Sequence, residues 1–274
     1  MITIRHCSGF DDFDACVQLQ IEVWGYDETE LIPRKTFLLA QKIGGQVIGA
    51  FDTAPADGSA EAHEVIVGFA MSLPGVKTTN GEARPYLHSH MLAVREGYRN
   101  CGLGVRLKRE QRLDAIARGI FHMEWTFDPL EIKNAFLNIH RLGAVVRQYR
   151  PDFYGVSSSR LQGGLPTDRL VAEWELVSHR VEATLDGSPA EAHNRIEERI
   201  LVPAAIYQWK ASSANRDRAL AVQLENRKKF QEAFSRGLTV VGYSMDAEGN
   251  GIFELASLSQ PEQVFKSQER EKTL

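Results

Sequence analysis

Along the first half of the chain, short stretches that alternate apolar and polar side chains are interleaved with stretches whose apolar positions recur every three or four residues. Alternation is the period of a half-buried strand, and the longer spacing is that of a helix burying one face. Residues 2–5 predict a strand. Residues 10–26 predict a helix, with Phe13, Cys16, Val17, Gln20, Ile21 and Trp24 at helical spacing. The Asp11-Asp12 pair suits the electropositive start of that helix. Residues 37–42 and 46–51 predict two strands about a Gly44-Gly45 turn. Residues 53–62 predict a loop, and 65–73 and 87–94 predict strands with a further loop over 74–85.

From Arg99 onward the elements lengthen. The pattern predicts a helix over 102–118 ended by Gly119, a strand over 123–127, and a helix over 131–142 closed by Gly143. A strand over 144–150, a loop-rich segment over 152–166 and a strand over 170–177 follow. Residues 186–190 (Asp-Gly-Ser-Pro-Ala) read as a linker. Beyond it come a strand over 199–202, a helix over 215–236, a strand over 238–244, a turn over 246–251 and a strand over 252–258. The expected architecture is α/β (α+β): a domain over 1–178 with a mixed, mostly antiparallel central sheet flanked by helices, and a smaller β-α-β-β lobe over 190–274. Phe136, Gly143, Val146 and Tyr149 recur at identical offsets as Phe230, Gly237, Val240 and Tyr243. A diverged repeat accounts for this, and so does the general look of any amphipathic helix that closes on glycine before a buried strand.

Composition narrows the field. The chain has 274 residues, of which 43% are hydrophobic and 25% charged, with net charge −4. Those proportions fit a globular protein and exclude disordered and collagen-like classes. The acidic balance lacks the basic footprint of a nucleic-acid binder. No apolar run approaches the roughly 18 residues that span a bilayer, so no membrane partner is expected. Cys7, Cys16 and Cys101 make an odd set without CxxC spacing, which fits neither a disulfide framework nor a zinc ribbon. The start of the chain lacks the basic and apolar regions of a signal peptide, and the expected location is the cytoplasm.

Candidate chemistry concentrates between Leu87 and Lys108. A strand runs into the turn Arg99-Asn100-Cys101-Gly102-Leu103-Gly104, which opens directly into a helix. The first backbone N–H groups of a helix have no internal partner, and its dipole makes that end electropositive. Two glycines let a large anion approach, and Arg99 adds a forked cation, so the turn predicts a phosphate or pyrophosphate site. A tight strand-to-helix turn that needs glycine for its dihedrals is the plainer reading. The spacing is neither GxxxxGK[ST] nor GxGxxG. On the preceding strand, His88 and His90 share one face because strand side chains alternate. A His-x-His metal pair would need a third ligand that the sequence does not offer, so no metal is expected.

These residues resemble the central motif of the GNAT superfamily of acyl-CoA-dependent N-acetyltransferases: Leu92-Ala93-Val94, then Tyr98-Arg99-x-x-Gly102-x-Gly104 and a helix. More narrowly, Trp24-Gly25, the segment from Thr126 to Leu130, Asn134-Ala135, the segment from Arg141 to Ala144 and the segment from Leu165 to Leu170 are similar to a poorly characterised subgroup of predicted acetyltransferases with a C-terminal extension. The resemblance implies acetyl transfer from acetyl-CoA, as co-substrate, to a small-molecule or peptide amine, by a monomer or homodimer. It places the pyrophosphate on the backbone of Asn100, Cys101, Gly102, Leu103, Gly104 and Val105. It places the pantetheine arm against Leu92, Ala93 and Val94, and a coenzyme contact at Asn134. His88 is the candidate base, four residues before Leu92, and His90 is the second candidate. The chain departs from the family where a tyrosine commonly protonates the leaving thiolate: counting back four from Gly143 reaches Ile139. Tyr149, Tyr154 or water would have to substitute, or the chain would be a non-catalytic acyl-CoA-binding module. The charged run from Ser267 to Lys272 reads as a solvated terminus.

Overall fold

A computed structural model describes residues 1–53, 64–79, 81–188 and 195–258. Ten strands form one sheet: β1 (Ile2–His6), β2 (Gln46–Asp52), β3 (Val65–Thr79), β4 (Glu82–Val94), β5 (His122–Phe127), β6 (Val145–Arg150), β7 (Arg169–Glu175), β8 (Glu198–Val202), β9 (Leu238–Met245) and β10 (Gly251–Ser257). Their order is β1-β2-β3-β4-β5-β7-β6-β9-β10-β8. Every neighbouring pair is antiparallel except β4 and β5. Helices α1 (Gly9–Trp24) and α2 (Arg34–Lys42) pack with Phe69, Met71, Met91 and Ala93 on one face of the early strands. Helix α3 (Leu103–Ala117) packs its Leu103 and Leu107 against Ile48, Ala50 and Val67 on the other face. The α1–α2 layer stops at β4. The same face of β5 and β7 is polar, carrying His122, Glu124 and Glu173.

Three expectations fail for physical reasons. Residues 37–42 lie in α2, not a strand: Phe37 and Ala40, three apart, are buried, whereas Leu38 and Leu39 are exposed. That is helical period, and Pro33 sits just before the helix, where a missing N–H costs nothing. The loop expected over 74–85 is instead the outer half of the β3–β4 hairpin, with Gly75 opposite Tyr86 and Val76 opposite Pro85. Pro74 and Pro85 are tolerated because β2 pairs with β3 only as far as Ser72 and β5 joins β4 only from Leu87. Both prolines therefore sit where the strand has a free edge. The helix expected over 131–142 is a short α4 (Ile132–Ala135) continued by a π-helical turn over Phe136–Arg141. Helices α5 (His179–Asp186) and α6 (Ile206–Ala211) were not expected, and α5 occupies the start of the expected linker. Residues 54–62, 189–190 and the run from Ser267 to Lys272 lie outside the described residues.

The later strands mirror the earlier ones. Outward from the β6–β9 junction the order is β6-β7-β5 on one side and β9-β10-β8 on the other. Each side is a strand, helical chain, then an antiparallel strand pair, with α7 (Arg216–Ser235) preceding β9 as α4 precedes β6. The junction is the pair Val146 and Val240, which are the matching members of the sequence motif. Phe230 of α7 stacks on Tyr149 of β6 at 5.6 Å, and the turn after α4 lies against β9. One apolar core runs through both sides, from Trp125 and Trp174 to Phe230 and Phe253.

Buried charges bind the two sides. Asp168, fully buried, accepts from the Tyr149 hydroxyl at 2.5 Å, the Asp152 N–H at 2.9 Å and both ends of the Arg227 guanidinium at 2.9 and 2.8 Å. Lys210 of α6 donates to Asp128 at 2.9 Å and Glu131 at 2.7 Å. Burial works against its charge, but the two carboxylates raise its pKa. Among the described residues no helix is long and apolar enough to cross a membrane. Replacing Arg227 with Ala leaves Asp168 buried without its cation and is expected to cost about 3 kcal/mol in urea unfolding. An unchanged midpoint would show that water replaces the guanidinium.

Candidate active site

The site begins where β4 and β5 part. They pair in parallel only at Leu87–Met123 and His88–Glu124, and then diverge. On the other edge of β4 the register slips: Met71 faces Met91 and Ser72 faces Ser89, so His90 has no opposite residue. This bulge resets the side-chain alternation. Leu87 and Ser89 face α3, and so do Leu92 and Val94, whereas Met91 and Ala93 face α1. His88 and His90 share the α1 side, their rings 6.1 Å apart.

At the end of β4 the chain turns sharply. The Tyr98 hydroxyl donates to Asp52 at 2.7 Å, and Arg99 Nε donates to the Val94 carbonyl at 3.0 Å. Asn100 and Gly102 both have positive φ, 61° and 81°. A Cβ at Gly102 would meet nothing, so it is backbone conformation that selects glycine there. The N–H groups of residues 100–105 donate to no acceptor among the described residues. These residues other than Cys101, together with Arg99, border a cavity of about 940 Å³ at the β4–β5 divergence. Leu92, Val94, Asn100, Gly102, Leu103, Gly104, Val105 and Asn134 line it, together with His90. Ala93 turns its side chain into the α1 core, and the Cys101 thiol donates to the Tyr98 carbonyl at 2.8 Å.

His88 is not part of the cavity wall. Its Nδ1 lies 4.0 Å from Glu124, in a cluster with Lys77 and His122. His122 Nδ1 is 2.7 Å from Glu175. Burial disfavours the His122 charge, but Glu124 and Glu175 outweigh it and hold the pKa at about 9. Glu124 is pushed the other way: burial raises its pKa, and His122, His88 and Lys77 together bring it well below the usual range. His90 differs from both. Desolvation first, then the neighbouring His88, lowers its pKa, which leaves it neutral at neutral pH.

The π-helical turn decides which residue of α4's continuation faces the cavity. Ile139 sits in the apolar core, while Asn138 reaches the cavity and donates to Asn134 Oδ1 at 3.2 Å. Tyr154 also lines the cavity, with its hydroxyl 2.9 Å from Thr126 Oγ1. Tyr149 points away, into Asp168. Two loops roof the α1 side. The Asp27 N–H donates to Ser158 Oγ at 3.0 Å, Ser157 donates to Glu30 at 2.8 Å, and the Arg160 N–H donates to the Trp24 carbonyl at 3.0 Å. Trp24 and Tyr26, stacked at 5.5 Å, wall the cavity beneath that roof.

Sequence reasoning missed the Glu124 cluster and Lys108, which lies on the cavity floor; Asn138, which the resemblance offered with Asn134 as a coenzyme contact, lines the cavity. A signal for Lys108 existed: it shares the buried stripe of α3 with Leu107, Gln111 and Ala115, where a lysine is out of place. Among the described residues no group of three or more His, Cys, Asp or Glu is arranged to hold a metal.

No family model and no curated protein sequence matches the chain. Solved structures do. Arabidopsis thaliana NAA60 in complex with acetyl-CoA superposes with TM-score 0.51 at 15% identity, covering 64% of this chain and 98% of its own. The fold is the GNAT fold. A Salmonella typhimurium putative acetyltransferase, yncA, with acetyl-CoA gives 0.47 at 17% identity over 65% and 96% of the two chains. A GNAT family acetyltransferase from Elizabethkingia anophelis with acetyl-CoA bound gives 0.41 at 15% over 64% and 97%. The GNAT fold accounts for under two thirds of this chain, so the ten-stranded sheet is that fold with an addition.

The histidine–carboxylate cluster beside this GNAT sheet predicts a pH dependence. His122 has its pKa raised from 6.5 to about 9, so its contribution to stability is full below about pH 6.5 and is lost as pH rises through about 9. Between those limits the wild type is expected to lose on the order of 1–3 kcal/mol more than His122→Asn in urea unfolding. Parallel pH profiles for the two proteins would remove the cluster as the cause.

Proposed function

We propose that the chain transfers an acyl group, most simply acetyl, from acyl-CoA to a primary amine by direct attack. The observation that carries this reading is the run of N–H groups over residues 100–105 that donate to no acceptor among the described residues, beside Arg99 and at the edge of the cavity at the β4–β5 divergence. Such groups at a helix start suit a pyrophosphate. The free edges of the diverging strands suit an extended pantetheine arm, whose amides can pair with strand backbone as another strand would. Asn134 and Asn138 supply further polar contacts from the opposite wall. A backbone N–H near Leu92 would meet the thioester oxygen as it gains charge.

The amine then enters under the roof formed by the two joined loops, on the side of the sheet where His90 lies. Attack requires a free amine, and an amine arrives mostly as an ammonium ion. His90, neutral and facing the cavity, is placed to take that proton. His88 stands behind it and, with Glu124, sets the field around it rather than contacting the amine. The neighbouring structures include proteins that act on peptide amines, such as the ribosomal-protein-S18-alanine N-acetyltransferase from Escherichia coli. A peptide or small-molecule amine is the acceptor class proposed here. The transferase site falls within residues 1–178, and α6 and α7 brace its rear wall through Lys210 and Arg227.

A second reading, an acyl-CoA-binding module without catalysis, is favoured by one observation: Ile139, where the family commonly has a tyrosine, lies in the apolar core, and its neighbour Asn138, which is no acid, faces the cavity. Thiol release separates the two. At 100 times its Kd, acetyl-CoA should stabilise the protein by ~2.7 kcal/mol, a shift of roughly 5 °C, and Gly102→Glu should abolish it. With amines supplied, the wild type should release CoA thiol, and His90→Ala should lower kcat/KM by about a hundredfold or more. Because the His90 pKa is lowered, the acid limb of the kcat/KM profile should lie below the ordinary imidazole value of about 6.5. Binding without thiol release for any amine would leave the module reading standing. An absent thermal shift would sink both.

A further inference from the structure

Lys108 is fully buried on the floor of the cavity, under the divergence of β4 and β5. Its Nζ donates to Ser89 Oγ at 2.7 Å, and Ser89 Oγ donates to Gln111 Oε1 at 3.0 Å. The same nitrogen lies 3.6 Å from the centroid of the Trp125 ring. No carboxylate contacts it among the described residues. The other buried lysine among the described residues, Lys210, sits between two carboxylates. A lysine inside a protein without an acid partner is rare, because burial penalises the ammonium form, and a hydroxyl and a ring face offset that only in part. Burial alone accordingly lowers the Lys108 pKa far below its ordinary value, and no ionised neighbour opposes the shift. The group is a primary amine whose neutral form burial favours, in the chamber assigned above to an acyl thioester.

We propose that Lys108 is itself an acyl acceptor, a self-acetylation site on the floor of the coenzyme cavity. The proposal rests on acyl-CoA binding there. In the step, the lone pair of neutral Nζ attacks the thioester carbonyl carbon and forms the C–N bond. The C–S bond breaks, and its electron pair leaves on sulfur. One proton passes from the nitrogen to that sulfur, directly or by way of the Ser89 hydroxyl. The products are acetyl-lysine and free CoA thiol, and no further reactant is needed. The added acetyl group occupies the floor of the divergence, so the modified protein should hold acyl-CoA less tightly.

An exposed lysine has a pKa of about 10.4, so only roughly one in a thousand or fewer is uncharged at neutral pH. Burial shifts Lys108 toward its neutral form, and this gives the test its contrast. The full chain is incubated at neutral pH with deuterated acetyl-CoA, digested, and mapped by mass spectrometry, with thermal unfolding followed in parallel. One deuteroacetyl group on Lys108 is expected, formed at least about tenfold faster than on any exposed lysine, at a rate independent of protein concentration. Lys108→Met should lose that label; if the variant fails to fold, the wild-type map decides alone. A thermal shift with Lys108 unlabelled, or with label spread over exposed lysines, overturns self-acetylation and leaves the transferase reading intact. Neither shift nor label overturns both.

Discussion

Everything at the site follows from two residue pairs. Leu87–Met123 and His88–Glu124 are the whole of the parallel pairing between β4 and β5, in a sheet otherwise antiparallel. A parallel pair needs a crossover, and here the crossover is the turn at Arg99 followed by α3. The same constraint therefore opens the gap between the strands and sets a helix N-terminus at its mouth. Because the strands diverge, their facing backbone groups are unpaired, which a buried sheet tolerates only if something else satisfies them. The bulge at His90 belongs to the same device, since it turns Ser89 toward α3 and His90 toward the open side.

What lies beneath the gap is as telling as what lines it. Ser89, Lys108 and Trp125 close the floor from the α3 side, with a lysine where its neighbours on the helix are apolar or amide-bearing. Lys210, equally buried, sits between Asp128 and Glu131 and ties the β5–α4 connection to the later half of the chain. The same residue type meets opposite environments, one compensated and one not. The two carboxylates raise the pKa of Lys210, whereas burial with no carboxylate in contact lowers that of Lys108.

The mirrored strand order explains why a sheet of ten strands holds together across a junction as slight as Val146–Val240. Each side lays its helical segment over the strand of the other, so the core is shared even though few backbone hydrogen bonds cross. Asp168, reached by Tyr149 from one side and Arg227 from the other, fastens the loop over 152–168 at the same seam. That loop also roofs the cavity, so the later half of the chain bears on the site without contributing its central residues.

Much of this was legible in the residues. The strand, the glycine-bearing turn and the helix from Leu87 to Lys108 follow from local chemistry: alternation, a positive φ that glycine adopts freely, and a helix start with free N–H groups. Local rules failed where neighbours decide. Phe37 to Lys42 is as apolar as a strand, and only the core beneath α2 selects every third residue. Pro74 and Pro85 read as loop signals, because a sequence does not show which strand edges are free. Counting back from Gly143 reaches Ile139, but a π-helical turn shifts the phase and presents Asn138. His88 and His90 look equivalent as a strand pair, yet the register against β3 and β5 sends one to the cavity and the other to Glu124. The sequence by itself determined most of the elements and the glycine-bearing turn, because those depend on bonds within a few residues. The tertiary structure alone decided which side chains face the cavity and which charges are buried, because both depend on partners brought from far along the chain.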